Sequence, residues 1–249
     1  MMENNFHRRG ESVKLRQRES LMTKKFAEPA RKRIMIVDDH PMMRHGIAQL
    51  IGAEPDLSVC GEAENARDAF DVVGILKPDL VLADITLPGK NGLELLKDFQ
   101  AILPHLPVLV VSTHDETFYA ERVLRAGGRG YIMKQEGGVK LMQAIRQVLA
   151  GEIYVSPGIA TGILETLSGR RTSSEGSEGS PMEKLTDREF EIFQLVGQGQ
   201  GTKDIAHKLH LSAKTVDVHR ANIKNKLKLA SSPELIRYAV RWTESHAAG

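Results

Sequence analysis

The sequence predicts a doubly wound α/β domain with a five-stranded parallel sheet, followed by a small all-α domain of four helices. Three observations predict this fold class. Short apolar runs recur five times between segments of helical periodicity. These runs are continuously apolar rather than alternating, which is typical of parallel strands buried on both faces. After a Ser/Gly/Glu-rich stretch, helical periodicity continues without any further strand pattern.

Strands and helices alternate along the first domain. The apolar runs predict strands at Ile34–Val37, Leu57–Cys60, Leu80–Ala83, Val108–Val111 and Tyr131–Met133. The intervening periodicity predicts helices at Met42–Ile51, Ala66–Leu76, Leu93–Ile102, Phe118–Ala126 and Val139–Ala150. Because parallel strands are joined by right-handed crossovers, five such units predict a sheet covered by helices on both faces.

The C-terminal part predicts four helices and no strand. Their expected ranges are Asp187–Val196, Thr202–Leu209, Ala213–Leu227 and Pro233–Trp242. Thr186 and Glu189 fit a capping box at the first of these helices, and Ser212 fits an N-cap at the third. We therefore divide the chain into a disordered basic extension (1–30), the α/β domain (31–153), a linker (154–183) and the helical domain (184–249).

Length and composition limit the function classes. The chain has 249 residues, enough for two ordinary domains. Cys60 is its only cysteine, which excludes an intramolecular disulfide and fits a reducing compartment. No apolar run is long enough for a transmembrane helix, and the first thirty residues lack the apolar core of a secretory signal. We expect a cytoplasmic protein without membrane contact. The first thirty residues leave three alternatives open: a solvated tail, an arm that contacts nucleic acid, or a true start at Met22.

Charge is distributed unevenly along the chain. Met1–Arg33 has ten basic and four acidic residues, whereas Ile34–Gly169 has eleven basic and eighteen acidic residues. Met182–Gly249 has eleven basic and eight acidic residues. An acidic middle and a basic C-terminus favour a cation-binding domain joined to a domain that contacts a polyanion.

Polar residues follow four of the five predicted strands. Asp38 and Asp39 follow the first strand, Asp84 the third, Ser112 the fourth and Lys134 the fifth. In the flavodoxin-like strand order the first and third strands are neighbours, so the three carboxylates would meet at one edge of the sheet. Such a cluster needs a cation, and all-oxygen ligation favours Mg²⁺. A carboxylate nucleophile beside Mg²⁺, a hydroxyl and an ammonium predicts phosphoryl transfer.

Four sequence blocks in this domain resemble the receiver domain of bacterial response regulators: "IMIVDDHPMMRHGI", "PDLVLADITLPGKNGLELL", "VLVVSTHDE" and "GGRGYIMK". The resemblance implies that Asp84 accepts a phosphoryl group from a sensor histidine kinase. It implies that Asp39, Asp84 and the backbone carbonyl of Thr86 bind Mg²⁺ directly and that Asp38 binds it through water. Ser112 and Lys134 would contact the phosphoryl group.

The resemblance also implies a conformational switch. Ser112 would move towards the phosphoryl oxygens, and the Tyr131 side chain would enter the space that it leaves. Two positions vary. Gln135 stands where many receivers have proline, so no cis peptide is expected there, and His114 occupies a position that influences dephosphorylation in a direction the sequence does not give.

The segment Leu185–Leu229 resembles the LuxR-type helix-turn-helix of NarL/FixJ-class response regulators. The resemblance makes Ala213–Leu227 the recognition helix in double-stranded DNA, a role that its exposed lysines and arginine suit. We expect base contacts from Lys214, Asp217, Val218 and Ala221. Phosphate or framework contacts are expected from Thr215, His219, Arg220 and Lys224. Asp217 has a second interpretation, as a solvated helix residue or a partner of Arg220.

The leading hypothesis is a transcription regulator, not an enzyme, that dimerises when phosphorylated. A constitutive DNA-binding protein with the receiver as a dimerisation scaffold is the first alternative, although such proteins usually lack part of the acidic set or the lysine. An aspartyl-phosphate hydrolase is the second. Those enzymes carry a second aspartate two residues after the nucleophile, where this chain has Thr86.

Overall fold

The computed structural model describes residues 31–167 and 181–247. Within these two ranges no helix has the length and apolar character required to cross a membrane. The predicted extension 1–30 and the Ser/Gly/Glu-rich stretch 168–180 lie outside the described residues.

The first domain contains a five-stranded parallel sheet in the order β2-β1-β3-β4-β5. The strands are β1 Lys32–Val37, β2 Leu57–Ala63, β3 Leu80–Ala83, β4 Val108–Ser112 and β5 Gly130–Met133. All five predicted strands are confirmed, and so is the flavodoxin-like order. Since β1 lies between β2 and β3, the chain reverses its direction of winding at the β1/β3 pair, which is where such sheets form ligand sites.

Five helices cover the two faces of the sheet: α1 Pro41–Gly52, α2 Ala66–Leu76, α3 Gly92–Ile102, α4 Glu116–Arg125 and α5 Gly137–Leu149. Alternate strand residues point to opposite faces. Ile34 and Ile36 of β1 pack with α1 and α5 in one cluster, whereas Met35 and Val37 pack with α2, α3 and α4 in the other. The predicted helices are confirmed, with ends shifted by one or two residues.

Part of the predicted linker is ordered. Tyr154 continues the sheet edge through a bridge to Gly130, and the amide of Tyr131 donates to the carbonyl of Tyr154 at 2.9 Å. Helix α6 then spans Pro157–Leu167 and packs on α4. Helix α6 was not predicted from the sequence, because its small and apolar residues give only weak amphipathic periodicity.

The second domain consists of α7 Asp187–Gly197, α8 Thr202–Lys208, α9 Ala213–Leu227 and α10 Ser232–Ala247. The capping box at Thr186 and the N-cap at Ser212 are confirmed. The core of this domain includes Ile205, Leu209, Val216, Ile223, Leu235 and Ala239, all fully buried. Ile236 is exposed. It lies on the outer face of α10.

The two domains pack against each other through α4 on one side and α7 and α10 on the other. The Phe118 ring lies 4.9 Å from Trp242, and Tyr119 makes an edge-on contact with Phe190 at 5.5 Å between ring centroids. The guanidinium of Arg122 lies 4.0 Å above the Phe190 ring. Aromatic pairs and a cation over a ring each add stabilisation beyond buried area.

Candidate acidic pocket and nucleic-acid interface

The acidic residues of β1 and β3 meet at the C-terminal edge of the sheet, as the strand order requires. Ligand atoms of Asp38, Asp39, His40 and Asp84 all lie within 4.8 Å of one another. Asp38 and Asp84 are almost completely buried. His40 was not singled out from the sequence, because a lone exposed histidine after a strand carries little information. Its Nδ1 lies 3.2 Å from Asp38 Oδ1 and 2.6 Å from Asp39 Oδ1.

Lys134 bridges two of these carboxylates. Its Nζ lies 2.8 Å from Asp84 Oδ2 and 2.6 Å from Asp38 Oδ2, and its side chain is only 5% exposed. Burial alone would lower the pKa of Lys134, but the charges of Asp84 and Asp38 outweigh burial and raise it. Lys134 therefore remains a cation at neutral pH and balances part of the carboxylate charge. The predicted convergence of β1, β3 and β5 residues is what the geometry shows.

The pocket retains an acceptor atom that its own side chains do not satisfy. Oδ1 of Asp84 is buried without a hydrogen-bond partner among the described residues. Oδ1 of Asp39 is also buried, and the His40 Nδ1 lies 2.6 Å from it. Buried carboxylate oxygens without donors are costly unless a cation contacts them. Oxygen donors of this kind suit Mg²⁺, so the residues present fit that ion. Asp39, Asp84 and the Thr86 carbonyl would hold it, with Asp38 through water.

Ser112 and Tyr131 lie beside the pocket on β4 and β5. Both side chains are fully buried. The amide of His114 donates to Ser112 Oγ at 3.4 Å, and the Tyr131 hydroxyl donates to the His114 carbonyl at 2.7 Å. Burial raises the pKa of Tyr131 far above its ordinary value, so the phenol stays neutral. The side chains of Ser112 and Tyr131 thus both bind the backbone of His114, so a movement of one can be coupled to a movement of the other, as the predicted switch requires.

The start of α3 supports the backbone of Asp84. Asn91 and Glu94 form a capping box, and Asn91 is fully buried. A Cβ built on Gly92 would lie 1.9 Å from the carbonyl oxygen of Asp84. Only glycine permits this approach between α3 and the end of β3. Neither Asn91 nor Gly92 was predicted as a site residue from the sequence, although an Asn-Gly pair before a helical run is a usable signal.

Residues of the second domain reach the loops around the pocket. Arg188 donates to the Gly89 carbonyl at 3.0 Å, Thr86 Oγ1 donates to Glu191 Oε1 at 3.4 Å, and His210 Nε2 lies 3.3 Å from Asp39 Oδ2. None of these contacts was predicted, because sequence patterns carry no information about how two domains pack. The acidic-pocket group is the metal-ligand cluster found within 31–167 and 181–247.

The candidate nucleic-acid interface is the outer face of α9. Lys214, Asp217, Val218 and Ala221, the expected base-contacting residues, are exposed. Thr215, His219, Arg220 and Lys224, the expected phosphate or framework residues, are partly buried. The exposed fraction of Val218 is 52%, high for an apolar residue.

Asp217 does not pair with Arg220. Thr202 Oγ1 donates to Asp217 Oδ1 at 3.3 Å, and Arg220 Nη1 donates to the same hydroxyl at 2.8 Å. The expected pair of Asp217 with Arg220 is therefore not formed, because Thr202 at the start of α8 lies between the two charges. Asp217 is exposed, as the alternative of a solvated helix residue expects. Burial lowers the pKa of His219, whose Nδ1 is buried without a hydrogen-bond partner among the described residues. A neutral His219 suits a framework role.

Two family models match the chain. The response regulator receiver domain matches residues 34–146, and the LuxR family of bacterial regulatory proteins matches residues 183–239. The oxygen regulatory protein NreC of Staphylococcus haemolyticus is 35% identical over 210 residues, which cover 84% of this chain and 97% of NreC. NreC of Staphylococcus carnosus is 33% identical over the same number of residues.

Solved structures show the same architecture. A LuxR-family two-component response regulator from Aurantimonas sp. SI85-9A1 has a TM-score of 0.52 and 35% identity, and the alignment covers 56% of this chain and 99% of that one. RcsB of Salmonella typhimurium has a TM-score of 0.58 at 23% identity, covering 85% of this chain and 98% of RcsB, which supports the fold alone. With its acidic pocket, its helix-turn-helix and these relatives, the chain belongs to the two-component response regulators of the NarL class, with a receiver domain and a LuxR-type DNA-binding domain.

Proposed function

We propose that Asp84 accepts a phosphoryl group from a sensor histidine kinase and that this modification controls sequence-specific DNA binding by α9. One observation carries the proposal: Lys134 holds Asp84 Oδ2 at 2.8 Å, while Asp84 Oδ1 has no hydrogen-bond partner among the described residues. One carboxylate oxygen is thus anchored and the other is available for attack. We further propose that residues 31–153 form the domain that is phosphorylated and that residues 184–249 form the domain that binds DNA.

Phosphoryl transfer requires each pocket residue to act on a defined atom. Asp84 Oδ1 forms the new bond to phosphorus, and the bond from phosphorus to the kinase imidazole breaks with its electron pair leaving on nitrogen. Lys134 balances the charge that develops on the phosphoryl oxygens, and Ser112 Oγ donates to one of them. Mg²⁺, when bound, supplies charge neutralisation and orientation at the same oxygens. Asp39 and the Thr86 carbonyl, with Asp38 through water, would position that ion beside Asp84.

DNA recognition would use the exposed face of α9. Lys214 and Val218 project from the N-terminal half of the helix, the part that meets base edges in helix-turn-helix proteins. Asp217 would accept from a cytosine amino group. Arg220 and Lys224 would contact phosphates. A distant relative in fold, RcsB of Salmonella enterica, has been solved bound to the promoter rprA with the phosphomimetic BeF₃⁻.

Phosphorylation would act by shifting the population between two packings of the receiver. The added group carries roughly −1.5 to −2 charges and three acceptor oxygens. Ser112 would turn towards it. The Tyr131 hydroxyl would then give up its hydrogen bond to the His114 carbonyl, and its side chain would enter the space that Ser112 leaves. The phosphorylated form would dimerise on DNA, for which the exposed outer face of α10 around Ile236 is available.

The test compares wild-type protein with Asp84→Asn in acetyl phosphate and Mg²⁺. Intact mass should show one added phosphoryl group in the wild type and none in the variant, and chelation of Mg²⁺ should abolish the modification. Modified wild type should then bind one or more sequences from a genomic DNA pool at least about tenfold more tightly than unmodified protein, a difference of about 1.4 kcal/mol. Equal modification of Asp84→Asn would refute the assigned site. Tight specific binding unaffected by phosphorylation would instead support constitutive DNA binding.

A further inference from the structure

A hydroxyl at the start of α8 joins two charged residues of α9. Thr202 is the first residue of α8. Its Oγ1 accepts a hydrogen bond from Arg220 Nη1 at 2.8 Å and donates one to Asp217 Oδ1 at 3.3 Å. Because a hydroxyl has one proton to donate, the guanidinium must donate to the hydroxyl and the hydroxyl to the carboxylate. Asp217 and Arg220 are thus linked through Thr202 rather than to each other.

The spacing of the two charged residues alone would favour a direct ion pair. Asp217 and Arg220 are three positions apart on α9, so their side chains project from the same face of the helix within reach of each other. A direct pair with a guanidinium often engages both carboxylate oxygens. The Thr202 hydroxyl engages Oδ1 alone, and among the described residues no other side chain binds this carboxylate. Asp217 Oδ2 therefore remains an acceptor without a partner inside the protein.

The core of the domain fixes the position of the hydroxyl relative to α9. Ile205 of α8 and Val216 of α9 are completely buried. At the start of α9 the amide of Thr215 donates to Ser212 Oγ at 3.0 Å, which caps the helix. Both ends of the hydrogen-bonded chain are therefore held by packed elements of one domain, so the arrangement is present before DNA arrives.

The chain of hydrogen bonds lies on the face of α9 that would meet DNA. Asp217 is exposed, and so is its neighbour Val218. A carboxylate on this face is repelled by phosphates, so it favours binding only where an oxygen meets a donor on a base edge. The amino group of cytosine is such a donor in the major groove. Holding Oδ1 restricts rotation of the carboxylate in advance, which lowers the cost of ordering it on DNA.

We propose that Thr202 determines sequence specificity as a positioning residue: it orients Asp217 to accept from a cytosine amino group and keeps Arg220 available for a phosphate. This inference rests on the proposed function. Thr202 acts through the two charged side chains and contacts no base itself. A guanidinium has five N–H donors, and the chain of hydrogen bonds uses one of them. Without the hydroxyl, Asp217 and Arg220 would pair directly, and both would be lost to DNA.

The first experiment determines the sequence preference of full-length protein, treated with beryllofluoride and Mg²⁺, on a randomised pool of DNA duplexes. Asp217→Ala identifies the position that Asp217 reads, because preference for cytosine is lost there. In the wild type this preference should be at least about fivefold, the lower end of what one good base contact provides. Thr202→Val keeps the shape of the side chain and removes the hydroxyl. It should lose the preference at that position and retain the preferences elsewhere in the site.

Two variants serve as matched controls. Thr202→Ser retains a hydroxyl on α8 and should retain the cytosine preference. Thr161→Val removes a hydroxyl far from α9, on α6, where Thr161 donates only to the Pro157 carbonyl at 2.9 Å, and it should bind as wild type does. A cooperative thermal transition of Thr202→Val at the wild-type temperature establishes that its altered preference does not reflect unfolding.

The second experiment combines Thr202→Val with Asp217→Ala. Because Thr202 acts through Asp217, the double variant should discriminate at the identified position no less and no more than Asp217→Ala alone. Thr202→Val should also reduce the slope of log affinity against log salt concentration by about one, because Arg220 turns from its phosphate to Asp217. Adding Asp217→Ala should restore that slope, since Arg220 then has no carboxylate partner.

The possible results separate this inference from the proposed function. If Thr202→Val weakens binding to all sequences equally and keeps the cytosine preference, Thr202 is a phosphate contact and the proposal is wrong. Loss of the preference in Thr202→Ser as well, or an unchanged preference in Asp217→Ala, would equally overturn it. Failure of the wild type to enrich any sequence from the pool would instead overturn the proposed function.

Discussion

Removal of the Lys134 ammonium should destabilise the receiver domain by about 3 kcal/mol at neutral pH in the absence of divalent ions. Lys134 lies between two carboxylates whose side chains are 3% and 2% exposed, at 2.6 Å from Asp38 and 2.8 Å from Asp84. Breaking a buried ion pair by deleting one partner typically costs about 3–5 kcal/mol, because the remaining charge is buried without compensation. The lower end applies here, since solvent can enter the space left by Lys134→Ala.

The measurement is urea unfolding of full-length protein in a chelator, followed by far-ultraviolet circular dichroism. Asp84→Asn is the matched control: it removes one negative charge and keeps the contact of Lys134 with Asp38. It should be as stable as wild type or more stable, since burial raises the pKa of Asp84 and so disfavours its charged form. Saturating Mg²⁺ should recover part of the stability of Lys134→Ala by binding the folded state. A loss of less than about 1 kcal/mol without Mg²⁺ would refute the view that Lys134 balances this cluster.

Three further outcomes are expected. Gly92→Ala should cost roughly 2 kcal/mol or more and slow modification of Asp84, because its Cβ would lie 1.9 Å from the Asp84 carbonyl oxygen; normal stability and rate would contradict this. Burial alone would raise the pKa of Glu189, but its lysine partner on α9 and the cap of α7 lower it, so its stabilising effect is present above the ordinary value of 4.5 and lost as the pH falls through the lowered value. The difference in melting temperature between wild type and Glu189→Gln should therefore shrink on acidification, and a constant difference would contradict the assignment. Lys214→Ala should relax sequence preference at one base pair. Lys224→Ala should weaken binding to all sequences and reduce the slope of log affinity against log salt concentration by about one. The reverse pattern would show that Lys224 reads a base and that Lys214 contacts a phosphate.

The strands could be predicted because a strand buried on both faces is a continuous apolar run, visible without a structure. The same reasoning located Asp38, Asp39, Asp84 and Lys134, since each directly follows such a run. Their convergence followed from one further rule, that ligands bind where the strand order reverses. Helix α6 escaped prediction because it packs on α4 mainly through small and aliphatic residues without a strong polar face.

The packing of the two domains could not be predicted. Arg122 and Asp187 are 65 positions apart, and each is an ordinary charged residue on an amphipathic helix. Glu191 resembles any solvated glutamate in the sequence, yet it is completely buried beside Thr86. Local patterns record which face of a helix is apolar, but they do not record which surface covers it.

The sequence by itself determined the two fold classes, the edge of the sheet where the acidic residues gather, and the helix whose exposed face suits DNA. These properties depend on residues near one another in the chain and on general rules of chain topology. Only the tertiary structure decided that the DNA-binding domain closes over the pocket, with His210 at Asp39 and the face of α9 left open. That arrangement arises from shape and charge complementarity between surfaces formed by distant segments, so no single segment encodes it.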